Sequence, residues 1–212
     1  MRTQILSATD TQAFAHAVRL VRAGKVIAFP TDTVYGVGAN GFDERAIEQI
    51  YVVKDRPRDK AIPYLLANAA DISLVARGIP DAARLLADKF WPGGLTLVVP
   101  AAARVPRILT TGGDSVAVRV PNQSTTRALI DAVGAPLATT SANLSGAVDP
   151  ASASEVLAQL NGRIPFILDG GATPGNVPST VVDVTTDPPT VRRVGVISIE
   201  EIQQALGRKV AS

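Results

Sequence analysis

Apolar positions along this chain follow two rhythms, a three-to-four-residue recurrence and short, nearly unbroken β-branched or leucine runs. The first begins after Thr9 and Asp10, either of which can cap a helix with Phe14, Val18 and Val21 on one face, ending at Gly24. A second helix is expected behind Asp43, with Ala46, Ile47, Ile50 and Val53 inward and Lys54 delivered to its C-terminal end. Others fit residues 80–90, with Pro80 in the first turn, 123–133, 152–160 and 198–206. The second rhythm marks strands at Val26-Ile27-Ala28-Phe29 and at residues 62–66, 95–99, 116–120, 136–140, 166–168, 180–184 and 190–193. Helices and strands interleave, but several strands succeed one another directly. That predicts an α/β fold with an open sheet of mixed strand direction and flanking helices. No linker or internal repeat divides the chain, so residues 1–212 are expected to form a single domain with its core at about 9–206. The Gly- and Pro-rich stretch 169–178 is the one long irregular loop expected, a kind that is often functional.

Composition narrows the chemistry. Of 212 residues 46% are hydrophobic and 19% charged, which describes a globular chain with a large core. The net charge of +2 is too small to announce a nucleic-acid binder, although a local basic patch stays open. With no cysteine and a single histidine, His16, the chain excludes disulfides, thiolate metal sites, a cysteine nucleophile and multi-histidine sites. Met1-Arg2-Thr3-Gln4 leads into no apolar leader and no window reaches membrane-spanning length, so no membrane association is expected and the cytoplasm is the expected location.

Charge is concentrated in Lys54-Asp55-Arg56-Pro57-Arg58-Asp59-Lys60, four cations in seven residues. Pro57 cannot continue a helix, so these cations sit on a helix end and the loop beyond it. Arg56 offers a planar fork and the lysines offer point charges, which suits a multiply charged anion such as a triphosphate. Gly36-Val37-Gly38-Ala39-Asn40-Gly41 matches the dinucleotide spacing G-x-G-x-x-G. However, the expected cap Asp43 lies beyond the third glycine, which argues against a Rossmann unit. No G-x-x-x-x-G-K-[ST] and no G-x-S-x-G occur, so neither a P-loop nor a serine hydrolase is expected. The run from Thr139 through Ser141 and Asn143 to Gly146 ends a strand in hydroxyls and amides. It can cradle phosphate or adenine edges, or equally act as a cap or Asx turn. Arg119, hemmed in by Val118 and Val120, needs an anion if its strand is central: a substrate carboxylate or an internal Asp or Glu.

The chain contains, in this order, Phe29-Pro30-Thr31-Asp32-Thr33-Val34-Tyr35-Gly36, Lys54-Asp55-Arg56-Pro57, Trp91-Pro92-Gly93, Val118-Arg119-Val120-Pro121, Ser141-Ala142-Asn143-Leu144-Ser145-Gly146 and Ser179-Thr180-Val181-Val182-Asp183. Together these words resemble the YrdC-like family of threonylcarbamoyl-AMP synthases. The resemblance implies a twisted α/β sheet with a concave basic face. It also implies conversion of L-threonine, bicarbonate and ATP to threonylcarbamoyl-AMP and pyrophosphate, with Mg2+ accompanying ATP and no metal held by the protein. The product would serve N6-threonylcarbamoyladenosine formation at position 37 of tRNA, completed by a separate transferase machinery. Carried over position by position, Lys54 and Arg56 are catalytic. Arg56, Lys60, Ser115, Ser141, Asn143 and Arg193 bind ATP, and Thr33, Arg119, Thr139 and Ser179 hold threonine, with Arg119 on its carboxylate. Nucleotide contacts are also expected near Asp149. Leu65 stands where longer family members often carry histidine, Arg193-Val194-Gly195 replaces R-P-G, and the chain reads as the short, single-domain form. The alternative is a non-catalytic module binding double-stranded RNA or tRNA through the same face.

Overall fold

The computed structural model describes residues 2–174 and 177–212. Its strands are β1 (Gln4–Ser7), β2 (Ile27–Phe29), β3 (Gly36–Asn40), β4 (Tyr64–Leu65), β5 (Leu95–Pro100), β6 (Ser115–Arg119), β7 (Leu137–Ser141), β8 (Phe166–Asp169), β9 (Thr180–Asp183) and β10 (Thr190–Arg193). They form one sheet in the order β1-β8-β2-β3-β7-β4-β6-β5-β9-β10. Parallel pairs (β1 with β8, β5 with β9) alternate with antiparallel ones (β3 with β7, β5 with β6), so the expected mixed α/β sheet is present. The helices are α1 (Thr11–Arg22), α2 (Glu44–Lys54), α3 (Asp81–Phe90), α4 (Arg107–Thr110), α5 (Ser124–Val133), α6 (Ala153–Leu160) and α7 (Ile199–Leu206).

Local chemistry explains the boundaries. Asp10, Asp43, Ser152 and Ser198 each accept a first-turn backbone N–H, and at Ser198 the Glu201 carboxylate returns the bond as a capping box. Helix α2 ends because Asp55 turns left-handed, at φ 51°, and its N–H closes on Tyr51 and Val52 carbonyls. Pro80 is the cap of α3 rather than part of its first turn. The inward face of α1 is Ala13, Ala17 and Val21, with Phe14 and Val18 only half-buried at its margin, because α1 packs closely on α5.

Several elements depart from the sequence pattern, among them the short helix α4 and a 3-10 helix at Ala69–Leu74, neither of them expected. β1 was not expected. It is a short edge strand bonded in parallel to β8. The glycine-spaced run is strand β3, not a phosphate loop. At Gly36 a Cβ would lie 2.9 Å from Thr139 Cγ2, and at Gly38 2.6 Å from the Ala138 carbonyl. These glycines serve close strand packing, and the dinucleotide spacing is coincidental. The expected strand over 62–66 narrows to Tyr64–Leu65, although its neighbours Ile62 and Leu66 still donate to the carbonyls of Leu109 and Arg119. Asp169 belongs to β8, and the rest of the expected loop 169–178 is irregular where described; Gly175 and Asn176 lie outside the described residues.

The two faces of the sheet are covered unequally. Inward residues of α2, α3, α6 and α7 share one core with Val37, Tyr64, Leu95, Leu97, Val116, Val118 and Val182. On the opposite face, α1 and α5 cover Ile27, Phe29, Leu65, Leu137, Phe166 and Leu168. Strand residues alternate between faces, so this second face continues through Ala117 and Arg119 of β6, Thr96 of β5 and Val181 of β9. Over these strands no described helix covers it, and Thr96 and Arg119 stand there among apolar Ala117 and Val181. The site lies there.

Candidate active site

A cavity of ≈ 470 Å³ occupies the uncovered part of this face. Register sets its walls: Gly36 stands opposite Ser141, Leu65 opposite Arg119, and Thr96 opposite Val181. The lining holds three arginines, Arg56, Arg119 and Arg193, against one carboxylate, Asp149, so the cavity is electropositive.

Arg119 projects from β6 and is only 6% exposed. Its Nε donates to the Gly93 carbonyl at 2.9 Å and its two terminal nitrogens to Thr33 Oγ1 at 3.2 Å and Asp32 Oδ1 at 2.5 Å. The anion that the sequence demanded for Arg119 is therefore supplied by the chain itself. Asp32 and Thr33 are held in place because Thr31 Oγ1 accepts from the Thr33 and Val34 N–H groups and donates to the Val34 carbonyl at 2.6 Å. The Thr126 hydroxyl fastens the preceding Pro30 carbonyl.

Arg56 is placed by the left-handed turn at Asp55. Its Nε and a terminal nitrogen donate to the carbonyls of Lys60 at 3.1 Å and Ala61 at 2.8 Å. Arg193, on β10, donates to the Ser179 carbonyl and to Ser179 Oγ, both at 3.1 Å, while Ser179 Oγ also shares a 2.8 Å bond with Thr96 Oγ1. Among the described residues neither arginine forms an ion pair. Burial, first of all, lowers the pKa of both from the ordinary guanidinium value; for Arg193, Asp149 opposes that and Arg119 adds to it.

The lysines behave differently from the sequence expectation. Lys54 is 1% exposed and does not line the cavity. Its ammonium donates to the carbonyls of Ser141 and Asn143 and, at 3.0 Å, to Asn143 Oδ1. Three N–H groups meet three oxygens, which leaves no donor for a phosphate. Burial pushes its pKa down to about 7, Arg56 adds to that and Asp149 opposes it. Lys60 is exposed and outside the cavity lining; what it contributes there is its backbone carbonyl, which accepts from Arg56 and, at 3.1 Å, from Tyr51.

The structure brings Thr33, Arg56, Arg119, Thr139, Ser141, Ser179 and Arg193 onto one cavity. Ser115 shares the face of Ala117 and Arg119 but lies beyond the lining, where β6 pairs with Pro100. Asn143 is buried beneath Ser141: its Oδ1 accepts from Ser141 Oγ at 2.6 Å and its Nδ2 donates to the Ala147 carbonyl at 2.6 Å. Sequence reasoning missed Thr96 and most of an apolar shelf, Pro63, Ala117 and Val181, which Leu65, singled out from the sequence, completes. A threonine inside the otherwise apolar Leu95-Thr96-Leu97-Val98-Val99 was the available signal for Thr96.

Fold and site define an α/β protein with a cationic, hydroxyl-lined cavity on the open face of a mixed sheet. Residues 19–195 match the family Sua5/YciO/YrdC, described as "Telomere recombination", and the chain belongs to that family. It is 44% identical over 191 residues to the threonylcarbamoyl-AMP synthase of Pyrococcus abyssi, covering 90% of this chain and 56% of that protein. It is 41% identical over 207 residues to the threonylcarbamoyl-AMP synthase of Bacillus subtilis, covering 97% of this chain and 59% of that protein. The crystal structure of P. abyssi Sua5 complexed with L-threonine matches with a TM-score of 0.91 at 42% identity, over 94% of this chain and 58% of that one. The chain thus spans a little under three-fifths of the length of these relatives.

Proposed function

We propose that this chain forms threonylcarbamoyl-AMP and pyrophosphate from L-threonine, bicarbonate and ATP. The observation that carries the reading is Arg56 and Arg193. Both guanidinium groups are fixed by neutral oxygens and, among the described residues, stand outside any ion pair on the wall of one cavity. Such groups recognise phosphate without first surrendering an internal partner. The names of the relatives and the threonine complex of P. abyssi Sua5 supply the substrate class.

In this reading the threonine amine and bicarbonate condense to a carbamate with loss of water. A carbamate oxygen then attacks the α-phosphorus of ATP, a P–O bond forms and pyrophosphate leaves with the bonding pair. Arg56 and Arg193 hold the phosphates and Ser141 contributes a hydroxyl. Thr33, Thr139 and Ser179 position threonine beside Arg119. Positioning and charge neutralisation suffice for such a displacement, without a covalent nucleophile.

Among the described residues no group of three or more His, Asp or Glu side chains is arranged to hold a metal ion, and Asp149 is the lining carboxylate. The donor set does not fit a resident metal. Mg2+ is therefore expected as part of the metal–nucleotide substrate, on phosphate oxygens. Delivery of the product to tRNA by a separate transferase belongs to the same proposal. So does a cytoplasmic location, in keeping with the observation that no described helix is long and apolar enough to cross a membrane.

The test is pyrophosphate release from ATP, with threonine and bicarbonate omitted in turn. Release is expected only when both are present; release indifferent to threonine overturns the reading. Absent release together with salt-dependent tRNA binding would assign the cationic cavity to RNA instead.

A further inference from the structure

Lys54 is a buried cation that the proposed reaction does not use. We infer that Lys54 is a positioning residue: its ammonium clasps the Ser141–Asn143 turn from beneath the cavity and never touches the nucleotide. The inference rests on the synthase reading for what the turn does, and on geometry alone for the clasp.

The clasp closes from both sides. Going out, Lys54 Nζ donates to the Ser141 carbonyl, the Asn143 carbonyl and Asn143 Oδ1. Coming back, the Ser145 N–H donates to the Lys54 carbonyl at 2.9 Å. Asn143 then passes the constraint on, because Oδ1 also accepts from Ser141 Oγ and Nδ2 donates to the Ala147 carbonyl. Ser141 is the member of this network that lines the cavity. Helix α2 and strand β7, distant in sequence, are thereby locked at the point where Ser141 leaves the sheet. Turning the ammonium toward a phosphate would abandon the buried Asn143 carbonyl, the part-buried Ser141 carbonyl and one of the two bonds to Asn143 Oδ1, and buried unpaired polar groups are costly. The flanking Arg56 has the opposite arrangement, since it lines the cavity itself. Within the K-x-R spacing, one cation builds the wall and the next serves the ligand.

Three proteins decide it: Lys54→Met, which fills the space without a donor, Asn143→Ala, and Arg56→Ala. Pyrophosphate alone, titrated calorimetrically, is the probe. Lys54→Met and Asn143→Ala should bind it within about threefold of the parent, while Arg56→Ala should lose roughly tenfold or more, as expected for a charge-assisted contact. Amide exchange at Ser145 and Ala147 should quicken by about tenfold or more in the first two and not in Arg56→Ala. In turnover, Lys54→Met should lower kcat with KM for ATP little changed. Pyrophosphate affinity lost as severely in Lys54→Met as in Arg56→Ala overturns the inference, and so does unchanged exchange. If Lys54→Met does not fold, Asn143→Ala carries the same two expectations and the same refutation. Binding and exchange need no turnover, so an inactive parent protein would sink the synthase reading and leave the clasp still decidable.

Discussion

The cavity holds two kinds of arginine, built on opposite principles. Arg119 is 6% exposed and its charge is already met by Asp32 across 87 residues of sequence. Arg56 and Arg193 are held just as firmly, but by carbonyl and hydroxyl oxygens that leave the charge unspent. The difference separates bracing from recognition. A paired arginine can bind a new anion only through what its partner leaves, or by displacing that partner. An arginine on neutral acceptors attracts an anion at no such cost. In the proposed reaction, a threonine carboxylate at Arg119 would have to share the guanidinium with Asp32 or replace it, whereas a phosphate at Arg56 would displace no ion-pair partner.

Removing the braced arginine should have the largest effect. Arg119→Ala strands the Asp32 carboxylate, whose side chain is only 14% exposed. Breaking a buried pair from one side costs about 3–5 kcal/mol, to be read from denaturant midpoints. The double variant Asp32→Asn with Arg119→Met should recover most of that loss, because no buried charge is left alone. A loss below about 1 kcal/mol in Arg119→Ala would put all three arginines in one class and dissolve the comparison.

The unspent arginines should show the reverse balance. Arg56→Ala removes donors to two carbonyls that lie near the surface, so stability should change little. ATP affinity should fall roughly 10–100-fold, the worth of one or two charge-assisted hydrogen bonds at about 1.5–3 kcal/mol each. Arg193→Ala should move the same way, and the loss in both should shrink at high salt. Equal ATP binding by Arg56→Ala and the parent would mean that free charge in this cavity is not what recruits the ligand.

How much of this was legible in the chain follows from what is local and what is not. The caps Asp10 and Asp43 act within three residues, so sequence predicts them and the structure agrees. Period-two alternation puts Ser115, Ala117 and Arg119 on one face of β6, and that too is local. Strand β3 was hidden, because glycines that admit a neighbouring strand look the same in sequence as glycines that admit a phosphate. The need of Arg119 for an anion could be read from its flanking valines, but its partner could not, since Asp32 reaches it only when β6 packs beside the turn after β2. The surroundings of Lys54 were hidden for the same reason: its charge is visible locally, and the three oxygens it meets come from the end of β7 and the turn beyond it.

The cationic run contains its own internal control, with the smallest expected effect. Arg58 sits two residues from Arg56 and offers the same fork, but it turns away from the cavity onto Glu48 and across the Tyr51 ring, 5.1 Å from its centroid. The ion pair is solvent-exposed on both sides, at 56% and 37% of the side chains, where such pairs add little to stability. Arg58→Ala should therefore leave pyrophosphate release and ATP affinity within about twofold of the parent protein, in steady-state assays run beside Arg56→Ala. A loss approaching that of Arg56→Ala would mean that the ligand feels the summed charge of the run rather than the placement of one guanidinium. In that case proximity to the cavity, and not freedom from an internal partner, would distinguish its arginines.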